Sequence, residues 1–101
     1  MGWATIYIDQ LKQGKTVKFR PKGNSMTGRV NNGQLCTVEP IKDLSTLSKG
    51  DVVLCKVGGN QYLHLISAIG NNRWQISNNK GHVNGWVGEN GIYGKLIKVE
   101  D

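Results

Sequence analysis

A serine between an asparagine and a methionine, Ser25, lies in a short basic stretch between Phe19 and Val30. A serine hydroxyl becomes a nucleophile when a neighbouring base removes its proton. Gly23 and Gly28 bracket Ser25 and permit a tight turn, which can aim backbone N–H groups at a developing oxyanion. The stretch is therefore compatible with two interpretations of Ser25, an activated nucleophile or an ordinary turn serine.

A base for Ser25 must come from elsewhere in the chain, and His64 is the candidate. It lies in the apolar run YLHLI, where alternation predicts Tyr62 and Ile66 on the same face of a strand. Histidine is the side chain best suited to proton transfer near neutral pH. The competing interpretation is a core histidine that only satisfies a hydrogen-bond partner.

The positive charge of the chain favours acidic partners. Thirteen Lys and Arg against seven Asp and Glu leave a net charge of +6, which attracts nucleic acid as well as acidic peptides. Six basic residues cluster near Ser25 in sequence: Lys12, Lys15, Lys18, Arg20, Lys22 and Arg29. Three tryptophans, Trp3, Trp74 and Trp86, are available to stack on bases. A nucleic-acid surface is therefore one interpretation, and a solvated strand face is the other.

The spacing argues against other kinds of site. The two histidines and two cysteines show neither CxxC nor HExxH spacing, so no metal and no other cofactor is predicted. Cys36 and Cys55 each lie in an apolar run, which is typical of buried thiols, although a single disulfide is also compatible. Because no leader opens the chain and no apolar run approaches about 18 residues, we expect a cytoplasmic protein with no membrane partner.

A single domain, residues 1–101, must hold Ser25 and His64 together. With 14 glycines and 2 prolines, the composition favours β strands joined by tight turns. The amphipathic pattern within residues 1–15 predicts one short helix stopped by Gly14, although Ile6 and Ile8 also allow a strand. Residues 16–101 are predicted to form a mostly β, coiled antiparallel domain.

The predicted strands are separated by turns rich in glycine and asparagine. They cover residues 16–20, 34–40, 51–57, 61–69, 73–77 and 91–99. The run 51–57 is apolar at successive positions, as in a strand buried on both faces. Residues 42–50 are predicted as a polar connection with one helical turn, and residues 78–85 as a loop.

From Val17 onward the chain resembles the LexA-like and signal-peptidase-like serine peptidases. The resemblance rests on a strand that bears His64 and on two motifs, Gly23-Asn24-Ser25-Met26 and Gly50-Asp51-Val52-Val53. Their order and spacing, together with the closing Asn-rich loop and last strand, make the match more specific than Ser-Met alone. The resemblance implies a small coiled β fold in which Ser25 is the nucleophile and His64 occupies the position of the general base.

If Ser25 is the nucleophile, its own backbone N–H, together with that of a neighbour in the Gly23–Ser25 turn, would stabilise the oxyanion. Gly23, Asn24 and Met26 are the candidate oxyanion and turn residues. A peptide or protein substrate would bind as an extra strand beside a sheet edge. The stretch 80–82 stands where some members carry an acidic residue, so no Asp is expected to orient His64, and Gly28 stands where the family has a proline.

Two functions follow from these observations. The first is a soluble serine endopeptidase with a catalytic pair formed by Ser25 and His64. The alternative is a catalytically weak or inactive member of the same fold that binds a protein or nucleic acid. Its binding face would contain Lys18, Arg20, Lys22, Arg29 and His82, of which His82 is also interpreted as a plain loop residue. A small stand-alone chain of this kind is compatible with a phage or mobile-element origin, and its oligomeric state is not indicated.

Overall fold

The computed structural model describes residues 2–101, and its chain is mostly β with one short α-helix. The elements are α1 (Thr5–Lys12), β1 (Val17–Phe19), β2 (Leu35–Pro40), β3 (Val52–Val57), β4 (Asn60–Gly70), β5 (Arg73–Ser77), β6 (Val83–Val87) and β7 (Ile92–Glu100). Short 3-10 turns lie at Leu44–Thr46 and Glu89–Gly91. The strands form one antiparallel sheet in the order β1-β2-β7-β3-β4-β5-β6, which confirms the predicted fold class.

One strand lies in a segment that was predicted as a loop. Residues 83–85 begin β6, which pairs with β5 as the edge of the sheet. This strand is difficult to recognise in the sequence because it contains Asn84 and Gly85, and both residue types are depleted in strands. It forms because Val87 at its end is buried opposite Trp74. The other six strands agree with their predicted ranges to within one residue at each end.

The central strand β3 is buried on both faces. On one face Val52 and Leu54 join a cluster beneath α1, the helix-side cluster. On the other face Val53, Cys55 and Val57 join a second cluster, the far cluster. Because both faces are covered, every position except Lys56 is apolar, and this explains the continuous hydrophobic run in the sequence.

The two cysteines are separate core thiols. Cys36 lies in the helix-side cluster and Cys55 in the far cluster, and both are free and buried. Burial raises the pKa of Cys36, and it raises the pKa of Cys55 to about 12. Both side chains are therefore neutral near pH 7 and contribute apolar packing.

Gln61 of β4 holds the beginning of α1. The helix has no side-chain cap of its own. Instead the Ala4 N–H donates to Gln61 Oε1 at 2.6 Å, and Gln61 Nε2 donates to Thr5 Oγ1 at 2.9 Å. The Trp3 indole N–H donates to the Gln61 carbonyl at 3.1 Å. A strand side chain thus satisfies a helix end that would otherwise leave donors unpaired.

No helix within residues 2–101 is a candidate for crossing a membrane. The single α-helix there, α1, has 8 residues. No helix in that range combines the length and the apolar character that a bilayer crossing requires.

Gly94 of β7 lies where α1 approaches the sheet most closely. A Cβ at this position would come within 2.6 Å of Val38 Cγ1, 2.9 Å of the Glu39 carbonyl oxygen and 2.9 Å of Leu11 Cδ1. We expect Gly94→Ala to lower the free energy of unfolding by about 1–3 kcal/mol because of overpacking, measured by urea denaturation. Gly70→Ala, where a Cβ meets nothing within 4 Å, is the control. Equal effects at the two sites would contradict the close approach.

Candidate active site

The site lies on the half of β4 that has a strand neighbour on one side only. β3 pairs with β4 from Val57↔Asn60 to Val52↔Leu65. β5 pairs with β4 only from Leu65 onward. Within residues 2–101, the other edge of positions 60–64 therefore has no strand against it, and we call it the open edge.

Two residues turn their backbone groups toward the open edge. Ile66 makes both of its backbone hydrogen bonds to residues 50–51, each at 2.8 Å, so the backbone N–H and C=O groups of the even-numbered residues of β4 point toward β3. By the alternation of an antiparallel ladder, the backbone groups of Gln61 and Leu63 point toward the open edge. The bond from the Trp3 indole to the Gln61 carbonyl agrees with this orientation.

The segment that carries Ser25 reaches the His64 side chain from consecutive turns. Met26 and Val30 enter the helix-side cluster, at 5% and 4% exposure, while Ser25 between the turns is exposed. The Val30 N–H donates to the Met26 carbonyl at 2.8 Å. Thr27 Oγ1 donates to the Asn24 carbonyl at 2.8 Å. Two buried side chains thus anchor the segment and leave Ser25 on the surface.

Gly28 adopts a backbone conformation that proline cannot. Its φ is +98°, whereas the proline ring holds φ near −65° and removes the N–H. The Gly28 N–H donates to Asn31 Oδ1 at 3.1 Å. Asn79, after β5, holds the same segment: its N–H donates to the Ser25 carbonyl and its Nδ2 to the Thr27 carbonyl, both at 2.9 Å. The glycine is therefore part of a turn fixed by hydrogen bonds.

Ser25, His64 and Asn84 are connected by hydrogen bonds. Ser25 Oγ lies 3.0 Å from His64 Nε2, and Asn84 Oδ1 lies 2.7 Å from His64 Nδ1. An amide oxygen only accepts, so Nδ1 carries the proton and the lone pair of neutral His64 is on Nε2. The Ser25 hydroxyl then donates to Nε2. This is the tautomer and the direction that a general base for Ser25 requires.

Sequence reasoning misses Asn84, which fills the position of an orienting group. The stretch 80–82 carries no acidic residue, as the sequence shows, and the amide lies two residues beyond it, on β6. The pairing of β5 with β6 changes register between Ile76↔Gly85 and Ser77↔Val83, so Asn84 belongs to a bulge, a feature that re-aims side chains. The signal that could identify Asn84 is the strand Val83–Val87, which the prediction of a loop at residues 78–85 misses.

The environment of His64 favours its neutral form. His64 is 7% exposed, and the ring of Tyr62 stacks on it at 4.7 Å between centroids. Burial lowers the pKa of His64, the hydrogen bond with Asn84 raises it in part, and the charge of His82 lowers it further. The net direction is downward, so His64 is unprotonated and able to accept a proton at pH 7.

The backbone donors around Ser25 divide into two groups. The Gly23 N–H donates to Asn32 Oδ1 at 2.9 Å, so Gly23 shapes the turn. Among residues 2–101, no group accepts a hydrogen bond from the N–H of Asn24, Ser25 or Met26. Three consecutive N–H groups, one of them that of Ser25 itself, therefore have no protein acceptor, as donors to a negatively charged oxygen must.

The predicted basic residues occupy several positions. Arg20 donates to the Gly33 carbonyl at 2.7 Å, and Arg29 donates to the Gly50 carbonyl at 2.6 Å. Both guanidinium groups therefore tie loops together. Lys18 is exposed on β1. Lys22 lines the cleft beside Ser25, and His82 is exposed in the turn before β6.

A cleft of about 490 Å³ opens beside Ser25 and His64. Its remaining lining residues are mostly apolar or aromatic and include Trp3, Tyr7, Phe19, Met26, Val30 and Tyr62. Within residues 2–101, no three His, Cys, Asp or Glu side chains group as metal ligands. No protein-family model and no curated protein matches this chain. Functional assignment therefore depends on the geometry of the cleft.

The contact between Asn84 and His64 predicts the effect of adding a charge. Asn84→Asp places a carboxylate against Nδ1, which favours the imidazolium and should raise the His64 pKa by about 1–3 pH units. NMR titration of the ring measures this directly. Asn72→Asp adds the same charge in the turn between β4 and β5 and should leave His64 unchanged. A His64 pKa insensitive to Asn84→Asp would contradict the contact.

Burial of neutral His64 also makes the stability depend on pH. Because its pKa is lower in the folded state than the value of about 6.5 expected in the unfolded chain, the unfolded chain binds this proton more readily. The contribution to stability is complete above about pH 6.5 and is lost as the pH falls through the folded pKa. His64→Gln removes it, so the urea midpoint should fall less on acidification than in the wild type. Parallel profiles for the two proteins would refute this role.

Proposed function

We propose that this chain is a serine peptidase in which Ser25 is the nucleophile, His64 the general base and Asn84 the residue that positions His64. The observation that carries the proposal is the hydrogen-bonded series from Ser25 Oγ to His64 Nε2, at 3.0 Å, and from His64 Nδ1 to Asn84 Oδ1, at 2.7 Å. A nucleophile, a base and a group that orients the base are the parts that hydroxyl activation needs.

The chemistry follows from the tautomer of His64. Ser25 Oγ attacks the carbonyl carbon of the scissile bond while Nε2 takes the hydroxyl proton, and Nε2 then donates that proton to the leaving amine. A water molecule next attacks the acyl-enzyme and gives a proton to Nε2. Nε2 returns that proton to Ser25 Oγ as the ester bond breaks, so the acid product leaves and the Ser25 hydroxyl and neutral His64 are restored. Asn84 holds the ring through both steps but adds no negative charge beside the imidazolium.

The free N–H groups of Asn24, Ser25 and Met26 support acyl transfer. A tetrahedral intermediate places negative charge on the former carbonyl oxygen, and preorganised backbone donors stabilise that charge without reorganisation. The turn that presents these groups is fixed from outside by the hydrogen bonds of Asn79. We assign the oxyanion site to this turn, with Gly23 as a structural member.

The open edge of β4 supports a peptide as the substrate. An extended peptide can add to an uncovered strand through main-chain hydrogen bonds. Leu63 turns its N–H and C=O toward this edge, between Gln61 and the general base His64. A strand bound there would pass in front of Ser25. The resemblance to LexA-like and signal-peptidase-like enzymes supports the same assignment, because Ser25 and His64 match the nucleophile and base positions of that family.

A fluorophosphonate probe tests the nucleophile. We expect Ser25 to be labelled at a rate that rises with pH through the His64 pKa and levels off near neutrality, because neutral His64 is the active form. Ser25→Ala should abolish labelling, and His64→Ala should slow it about 10²–10⁴-fold. Mass spectrometry of the labelled peptide identifies the site.

Two further variants complete this experiment. Ser48→Ala alters an exposed serine in a loop and should label as the wild type does. Asn84→Ala should slow labelling about 10²-fold because the ring loses its orientation. Absence of wild-type labelling throughout the range from about pH 6 to pH 9 would reject the peptidase and favour a binding module on the same fold.

A further inference from the structure

The cleft contains an aromatic wall that the chemical steps described above do not use. The rings of Tyr7 and Phe19 stack at 4.5 Å, and the ring of Trp3 meets Phe19 edge-on at 5.6 Å. Trp3 is 48% exposed although it contacts both rings. These three residues, from α1, its lead-in and β1, line the same cleft as Ser25 and His64. We call them the aromatic wall.

Trp3 is fixed where the open edge of β4 begins. Its indole N–H donates to the Gln61 carbonyl at 3.1 Å, so this acceptor on the edge is already occupied. The next backbone groups that face the edge belong to Leu63. A peptide strand that binds to Leu63 would therefore pass alongside the Trp3 ring, and one of its side chains would point at the aromatic wall.

We infer that the aromatic wall binds one large apolar side chain of the peptide substrate, of the size of Phe or Leu. The inference rests on the proposed peptidase function and names its substrate class. Trp3 is 48% exposed beside the partly buried Tyr7 and the buried Phe19, in a cleft of about 490 Å³, and a small side chain such as Ala would leave most of this Trp3 surface uncovered. Burying a Phe or Leu side chain there favours binding through the hydrophobic effect.

A nucleobase is the competing occupant of exposed aromatic rings. The positive groups near the wall are Arg20 and Lys22. Arg20 is engaged with the Gly33 carbonyl at 2.7 Å, whereas phosphate recognition usually involves several free basic groups. The backbone of Leu63 and the Ser25 hydroxyl instead match the groups of a peptide. The structure therefore favours the peptide.

The test uses peptidyl phosphonates built from alanine, with Phe replacing Ala at one position at a time. We expect one position at which Phe speeds the labelling of Ser25 about tenfold or more. Trp3→Ala should remove this preference. Trp3→Phe keeps a ring and should retain most of it, and Ile6→Ala, an exposed apolar residue of α1 outside the cleft, should retain all of it. Equal rates at every position, or a preference that survives Trp3→Ala, would overturn the inference.

A binding experiment that needs no reaction at Ser25 tests this inference separately from the peptidase proposal. If no phosphonate labels the wild type, the peptidase proposal fails, and NMR of Ser25→Ala decides the aromatic wall by itself. The Trp3 indole N–H resonance should shift with at least one of the peptides that carry a single Phe and not with their all-alanine parent. Equal shifts for the parent and every Phe peptide, or a larger shift with a single-stranded oligonucleotide, would overturn the inference.

Discussion

The incomplete cover of β4 is the constraint on which the site depends. A strand paired on both edges has no free backbone groups, and its residues cannot be reached from the side. Because β5 pairs with β4 only from Leu65 onward, the edge near His64 stays accessible. The Ser25 segment can then bring its hydroxyl to a histidine that is itself almost fully buried. Burial of the base and access to it are thus combined at one strand edge.

Much of this arrangement follows from sequence. β3 is recognisable because burial on both faces demands an apolar residue at nearly every position, and Ser25 and His64 are recognisable by residue type and context. β6 is hidden because Val83, Asn84 and Gly85 resemble a turn, and the strand forms only through its pairing with β5. The role of Asn84 depends further on a register shift. Such a shift is set by contacts between strands and leaves no local pattern in the chain.

The third residue of the site is neutral, and this shapes the electrostatics of His64. Burial and the charge of His82 both act against the imidazolium, whereas Asn84 offers it only an amide dipole. The histidine is therefore unprotonated and correctly oriented at rest. In the proposed reaction, the protonated form of His64 would lack the compensation that a buried carboxylate provides. Orientation and charge stabilisation, which an Asp would supply together, are separated in this site.

Gln61 links the start of α1 to the open edge of β4. Its side chain bonds the first turn of α1, and its carbonyl bonds Trp3, while its backbone belongs to the open edge. A strand that binds to Leu63 leaves this carbonyl bond in place and passes beside the Trp3 ring. By thermodynamic reciprocity, whatever orders the segment before α1 strengthens occupation of the edge, and occupation of the edge orders that segment to the same degree. The lead-in to the helix is in this sense part of the binding surface, and its stability and the affinity of the cleft are one linked quantity.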